Sequence, residues 1–324
     1  MEYQTFLTEV QTQLSFRLQD IGKFSVRSIL KNNSLRLDAL CLDSPRAALF
    51  PTVYLNEYYQ MLCNGKSMAD ILDELTAIFQ NYQTSPLPFS NVPFTLETIR
   101  THIVYKLIHT GMNQELLKKI PSIPYLDLSI VFYLYMENSE GTPMSALVHT
   151  IHQELWGYST EELFSMAKEN TPHLLPPVLA SMEQVLANII SEHEETSDPK
   201  RRCSADASVF PDMFPELPEL PDEEPHPPMY VLSNPPSFFG ASCILYPDVL
   251  KKFAEQSGSD LILLPSSIHE FLILPFDESI CLEELNETVS AINETSVPLE
   301  DRLSDHIYYY LREKDEIIIP PFVS

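Results

Sequence analysis

"DLILLPSSIHEFLILPF", Asp260–Phe276, sets two apolar runs, Leu261–Leu264 and Phe271–Leu274, on either side of a polar centre. Short apolar runs of this kind, bounded by proline and hydroxyl residues, read as buried strands. The centre is then a corner: Pro265 with Ser266 and Ser267 makes a hydroxyl-capped turn, and His269 hydrogen-bonds at its edge. The surrounding segments extend the pattern. "MYVLSN" and "GASCILY" read as strands, and "PDVLKKFAEQSG" as a helix opened by Pro247 and closed by Gly258. "LEELNETVSAINET" places Leu282, Leu285, Val289 and Ile292 on one helical stripe, and "HIYYYLREKDEIIIPP" closes as a hairpin about Glu313–Asp315. The order β-β-α-β-β-α-β-β implies an α+β layer: a largely antiparallel sheet with helices packed on one face.

The same corner carries the best catalytic guess in the chain. If the backbone ran on as one strand, Ser267 and His269 would share a face and Glu270 would point away. A serine two residues from its base on one strand lies about 6–7 Å from it, too far for proton transfer. A second cluster, "LSDHIYYY" at Leu303–Tyr310, has the same ambiguity, with Asp305 and His306 adjacent in sequence. Convergence of Ser267, His269 and Asp305 across the sheet, with Glu270 nearby, would make a hydrolase-type site. No G-x-S-x-G elbow accompanies them. "HTIHQE" sets His149 three residues before His152, with Glu154 beyond, but without the HExxH signature of a zinc helix. The chain has 7 glycines and no GxGxxG or GxxxxGK[ST], which argues against the common nucleotide loops. No cofactor and no metal are expected.

The first half reads as a mixed domain. "YQTFLTEVQTQLSFRL" spaces Phe6, Val10, Leu14 and Leu18 four apart, the mark of a helix. "FSVRSILKNNSLRLDALCLD" reads as two strands around a turn at Asn32-Asn33. "SMADILDELTAIFQNY" is an amphipathic helix capped by Ser67. "THIVYKLI" and "LDLSIVFYLYM" have strand composition. "GYSTEELFSMAKENTPHLLP" is a helix capped by Ser159 or Thr160 and stopped by Pro172, and a further helix is expected in "SMEQVLANIISEH". The expected organisation is an N-terminal α+β domain over 1–191, an acidic Pro-rich linker over 192–228, and a C-terminal domain over 229–324. In the linker, "FPDMFPELPEL" alternates apolar with acidic positions, as partner-docking segments do.

The formal net charge of −26 over 324 residues disfavours nucleic acid and anionic lipid, which need clustered lysine and arginine. The cysteines, Cys41, Cys63, Cys203, Cys243 and Cys281, are odd in number with no CxxC, the pattern of a reducing compartment. The first residues lack a basic, apolar leader, and no apolar run is long enough to span a membrane. A cytoplasmic location is the expectation.

Several stretches are specific in wording: "NGKSMADILDEL", "IVYKLIHTGMNQELLKKIPSIPYLDLSIVFYL", "LWGYSTEELFSMAKENTPHLLP", "MYVLSNPPSFFGASCILYPDVLKKFAEQSGSDLILLPSSIHEFLILP" and "VSAINETSVPLEDRLSDHIYYYLRE". In them the chain resembles a domain-of-unknown-function family of gut-dwelling Gram-positive bacteria, DUF5688. It is more distantly similar to the YtpQ-like group. The resemblance implies a bacterial, intracellular protein and assigns no activity or site residue. It also leads one to expect a histidine near Ser122–Pro124, where this chain has none.

Acidic surface, adjacent aromatics in "YLNEYYQML", "FYLYM" and "IYYY", and no coherent catalytic set together point to a non-enzymatic protein that binds another protein. The alternative is the hydrolase built on Ser267, His269 and Asp305. A third reading makes the acidic linker the bait for a basic partner.

Overall fold

A computed structural model describes residues 1–43, 52–84, 95–138, 141–187 and 228–323. Two compact units emerge, one of Met1–Arg100 with Met136–Met144, the other of Thr101–Tyr135 with Ser145–Ser324. This division differs from the expected boundaries at 191 and 229. Strand β8 (Val178–Ser181), upstream of the acidic stretch, pairs antiparallel with β9 (Tyr230–Ser233) downstream of it, so one sheet takes strands from both sides. Apart from Pro228, the expected linker and its docking motif lie outside the described residues.

In the first unit, β1 (Lys23–Leu30) and β2 (Arg36–Asp43) form the expected hairpin, extended by β3 (Val53–Tyr54). Asn33 and Ser34 turn the chain at φ 54° and 60°, the left-handed region that asparagine tolerates. Helix α1 (Tyr3–Arg17) buries Phe6, Val10 and Leu14 against this hairpin, as its spacing requires. Helix α2 (Leu55–Cys63) follows β3, and α3 (Met68–Thr84) adds Ile71, Leu72, Leu75 and Phe79 to the same core. Ser67 caps α3 by accepting the Asp70 N–H at 3.1 Å.

A further sheet runs in the order β4-β6-β5, built from β4 (Ile103–His109), β5 (Ser122–Tyr125) and β6 (Leu128–Glu137), with β7 (Pro143–Leu147) also paired to β6. Nearly every residue of β6 is buried, which explains its unbroken apolar run. Short helices α4 (Leu96–Ile99) and α5 (Gln114–Leu117) flank these strands in sequence, and α6 (Thr150–Trp156) precedes α7 (Thr160–Leu174). Ser159 and Glu162 form a reciprocal capping box for α7. Pro172 lies inside the last turn of α7 and does not stop it; so close to the end, its missing N–H removes one bond from a helix that ends two residues later. The Thr171 hydroxyl accepts the Tyr105 N–H at 3.1 Å, tying α7 to β4. Residues 182–187 begin the expected following helix.

The larger sheet runs β13-β12-β10-β11-β9-β8, every described pairing antiparallel, with β10 (Leu261–Ser267), β11 (Glu270–Pro275), β12 (Tyr308–Leu311) and β13 (Glu316–Ile318). The α+β class holds. The helices, expected on one face, lie on both. Ile262, Leu264 and Leu274 pack under α9 (Leu282–Ser296). Tyr230, from the opposite face, meets Phe253 of α8 (Val249–Ser257) with ring centroids 4.8 Å apart. Leu261 through Leu264 are all buried, so each face needs its own cover. "GASCILY" is a 3-10 helix, Gly240–Leu245, where a strand was expected. Phe239 at φ 56° turns the chain into it, and its first four residues are fully enclosed, so tertiary packing overrides β-propensity. On α9, Ile292 is 51% exposed and Asn293, 2% exposed, takes the inward position expected for it.

Candidate functional site

The polar centre of the opening stretch is a tight corner. The chain reverses at Ile268-His269, with Ser267 opposite Glu270 across the hairpin. This turn falls two residues later than expected, and it removes the strand alternation that would have placed Ser267 and His269 on one face.

Each group at the corner has a structural partner. Ser267 Oγ accepts the His269 backbone N–H at 3.0 Å. Ser266 donates to Glu270 Oε1 at 3.1 Å. Ser233 Oγ donates to the His269 carbonyl at 2.8 Å. The Asp301 carbonyl accepts the Ile268 N–H at 2.8 Å, which binds the turn to the segment after α9. The His269 ring stacks on Phe239 at 5.6 Å and 16°, and Lys106 Nζ lies 3.9 Å from the Phe239 ring centroid. Nδ1 sits 2.8 Å from the Ser237 carbonyl and 3.3 Å from the Phe239 backbone nitrogen, so it donates to the carbonyl in one ring tautomer and accepts the Phe239 N–H in the other. Nε2 faces Asp301 Oδ1 at 3.5 Å, a pair that becomes an ion pair when the ring carries its second proton. Asp301 is therefore the acid beside His269, in the place proposed for Asp305.

Asp305 belongs elsewhere. Its Oδ1 accepts from Asn293 Nδ2 at 3.2 Å, and the same amide donates to the Ser304 carbonyl at 2.7 Å. Asn293 on α9 thus fixes the chain just before β12. The convergence of Ser267, His269 and Asp305 on which the alternative reading depends is not formed: Ser267 and His269 share the β10–β11 corner, whereas Asp305 is held by Asn293 at the other. His306 gives its backbone N–H to Ser304 Oγ at 3.2 Å.

A carboxylate that sequence reading missed organises this second corner. Asp127 lies in the β5–β6 turn, after Leu126 at φ 54°. Its Oδ1 accepts the Tyr308 hydroxyl at 2.6 Å and its Oδ2 the Ser304 hydroxyl at 2.7 Å. His109 Nε2 stands 4.0 Å from Oδ2, and His109 Nδ1 accepts the Met112 N–H at 3.0 Å, so Nε2 carries the proton and faces the acid. Serine, histidine and aspartate meet here with the carboxylate in the middle. That order saturates an acceptor and leaves the serine without an imidazole base. Burial, followed by the charge of Asp127, pushes the Tyr308 phenol well above its ordinary value, so it remains a donor. Only the adjacency of "LDL" to a strand start could have signalled Asp127, since its partners lie 177 and 181 residues away in sequence.

The histidines of "HTIHQE" form a helix cap. His152 Nδ1 accepts the His149 backbone N–H at 3.2 Å, and their rings lie 5.7 Å apart. Among the described residues, no group of three or more metal-binding side chains converges. Burial lowers the pKa of both rings, and proximity to His149 lowers that of His152 further. A folded-state pKa below the unfolded value of about 6.5 means the neutral pair contributes fully above that pH and loses its contribution as pH falls. Protonated Nδ1 cannot accept the His149 N–H. Amide exchange in α6, corrected for intrinsic rates, should therefore accelerate below about pH 6, while α7 stays protected; parallel pH profiles would contradict this.

Other expected features fall into place as core. Cys243 is buried, its thiol pushed up to about 12 by desolvation. Tyr133, Tyr135, Tyr308 and Tyr310 are enclosed, so "FYLYM" and "IYYY" supply packing where a partner surface was considered. No helix among the described residues is long and apolar enough to cross a membrane.

The family model for a family of unknown function, DUF5688, matches residues 3–312. The chain belongs to that family. No curated protein and no solved structure matches it. Family membership therefore assigns no reaction, and the function has to be argued from surfaces and geometry.

Proposed function

We propose that this DUF5688 protein is a non-enzymatic binding protein whose partner is another protein. The observation that carries the reading is an apolar ridge on α6: Ile151 is 69% exposed and Leu155 73% exposed, one helical turn apart on the same face. Tyr158, 39% exposed, follows just past the Gly157 cap. Large aliphatic side chains left in water at adjacent helical positions lose the burial that a docked partner restores, about 1.5–3 kcal/mol for each fully covered side chain. Glu154, Glu161 and Glu162 are exposed nearby in sequence, so a partner with a neutral or basic rim suits the ridge.

The scaffold contacts of His269, Asp127 and Asp305 support the same reading, since each makes a hydrogen bond that braces a corner of the fold. A photo-crosslinking amino acid at position 155, in cells, is expected to give a discrete heterologous adduct. The same group at Glu169, exposed on α7, serves as control. Ile151→Asp should abolish the adduct formed at 155. No adduct at 155, or the same adducts from 155 and 169, would overturn the reading.

A further inference from the structure

β1 (Lys23–Leu30) is an outer strand of its sheet, whose order is β1-β2-β3. Three hydrogen bonds show which way its backbone groups point. The Lys31 N–H reaches the Leu35 carbonyl at 2.7 Å, so 31 and 35 are a hydrogen-bonded pair that continues the hairpin register. Such pairs recur at every second residue of an antiparallel ladder. Residues 25, 27 and 29 therefore face β2, and residues 24, 26, 28 and 30 face away from it. Gln11 Nε2 agrees, donating to the Phe24 carbonyl from outside the ladder at 3.1 Å. On β2 the Asp38 N–H likewise turns away from β1, to Asn56 Oδ1 at 2.8 Å.

The outward groups of β4 are closed by side chains: the Tyr105 N–H goes to Thr171 Oγ1, and the Ile103 carbonyl takes Asn170 Nδ2 at 2.9 Å, both from α7. On β1 this closure stops at Phe24. Among the described residues, nothing bonds the outward backbone of Val26, Ser28 or Leu30, and Ser28 is exposed. The strand is also where an acidic chain turns basic. Residues 23–36 hold four of its 20 lysines and arginines and no aspartate or glutamate, against a net charge of −26 overall. Lys23, Arg27 and Lys31 are four apart and so share the face opposite Phe24 and Val26, which pack into the core. Lys23 and Arg27 are exposed.

An open row of alternating N–H and C=O groups accepts a further strand, and the side chains beside it choose which one. A second copy of β1 would set lysine and arginine against lysine and arginine, which disfavours self-pairing. A phosphate backbone would match the charge but has no amide and carbonyl groups to pair with the edge. A strand bearing carboxylates matches both. We propose that the β1 edge takes an acidic, extended segment of another protein as an added antiparallel strand. Its backbone pairs with Val26, Ser28 and Leu30, and its carboxylates lie beside Lys23, Arg27 and Lys31. β1 belongs to the first unit and the α6 ridge to the second, so either reading can fail while the other stands.

The probe is a blocked nonapeptide in which valine alternates with glutamate or threonine, titrated into the full chain while amide exchange is followed by NMR. Binding should slow exchange at Val26, Ser28 and Leu30 and leave Arg27 and Ile29, already paired to β2, unchanged. In the added strand the valines stand opposite Val26, Ser28 and Leu30, so their N–H groups point at β1. Methylating the valine nitrogens should abolish binding, and methylating the glutamate nitrogens should spare it. Lys23→Glu combined with Arg27→Glu should weaken the glutamate peptide about tenfold or more. The same variant should gain binding of the lysine counterpart, a gain that misfolding cannot imitate. The proposal is overturned by no binding of the glutamate peptide, by equal affinity of the two methylated peptides, or by an unchanged preference in the double variant. Tighter binding of a single-stranded oligonucleotide, or dimerisation of the free chain that protects the same three amides, would overturn it too.

Discussion

Gly240→Ala should destabilise the second unit by about 3 kcal/mol or more, read as a shift of the urea unfolding midpoint with unchanged slope. A Cβ at this position would lie 2.5 Å from the His269 carbonyl oxygen, 3.0 Å from the Asn234 backbone nitrogen, and closer still to Ser233 Oγ. Two of those three atoms are backbone, and the third is locked by its own bond to the His269 carbonyl. None can swing aside as the end of a flexible side chain would. The strain therefore falls on the corner itself, where the Ala241 N–H also reaches the Ile268 carbonyl at 3.3 Å. Gly258→Ala provides the contrast. Gly258 has φ 73° with nothing within 4 Å of a Cβ, so alanine there meets only backbone strain, about 1 kcal/mol. Similar losses at both positions would show that the close approach at Gly240 is not what holds the turn.

Asp127→Ala is expected to cost about 2–6 kcal/mol, the scale of leaving two buried hydroxyl donors without their acceptor. The variant leaves the Tyr308 and Ser304 hydroxyls without their acceptor, and both residues are almost wholly enclosed. Two unpaired buried donors at about 1–3 kcal/mol each account for the size of the effect. Asp127→Asn retains one carbonyl oxygen and gives up the charge, and it should fall between the wild type and alanine. Near-neutral stability of Asp127→Ala would mean that the turn relaxes and water satisfies the hydroxyls.

The fold was legible wherever a local pattern carried the information. The four-residue spacing of Phe6, Val10 and Leu14, the Asn33 turn and the Ser159–Glu162 capping box each act within one or two turns of chain. The apolar runs Leu261–Leu264 and Phe271–Leu274 gave the central hairpin, with an error of two residues in where it turned. What was lost depended on distant partners. "GASCILY" has strand composition, and only the close seat of Gly240 against β9 and the His269 turn makes it helical. Asn293 reads as an outward polar residue until the Ser304 carbonyl that needs it is in view. The sheet that joins β8 to β9 crosses the acidic stretch, so composition alone set the domain boundary in a different place.

The candidate site divided along the same line. Sequence named His269 and the polar cluster at Ser304–His306, and both are corners where side chains and backbone lock together. Its alternative reading had His269 meet Asp305 across the sheet, whereas the fold brings Asp301 to the imidazole. Asp127 has no sequence motif. It is found only when the β5–β6 turn is laid against the start of β12.

The account rests on these polar groups acting as braces of the sheet corners. A double-mutant cycle between Asp127→Asn and Tyr308→Phe, followed by urea unfolding of the full chain, tests that most directly. Groups that brace one another should be coupled by about 1–2 kcal/mol. Additivity within about 0.3–0.5 kcal/mol would contradict it.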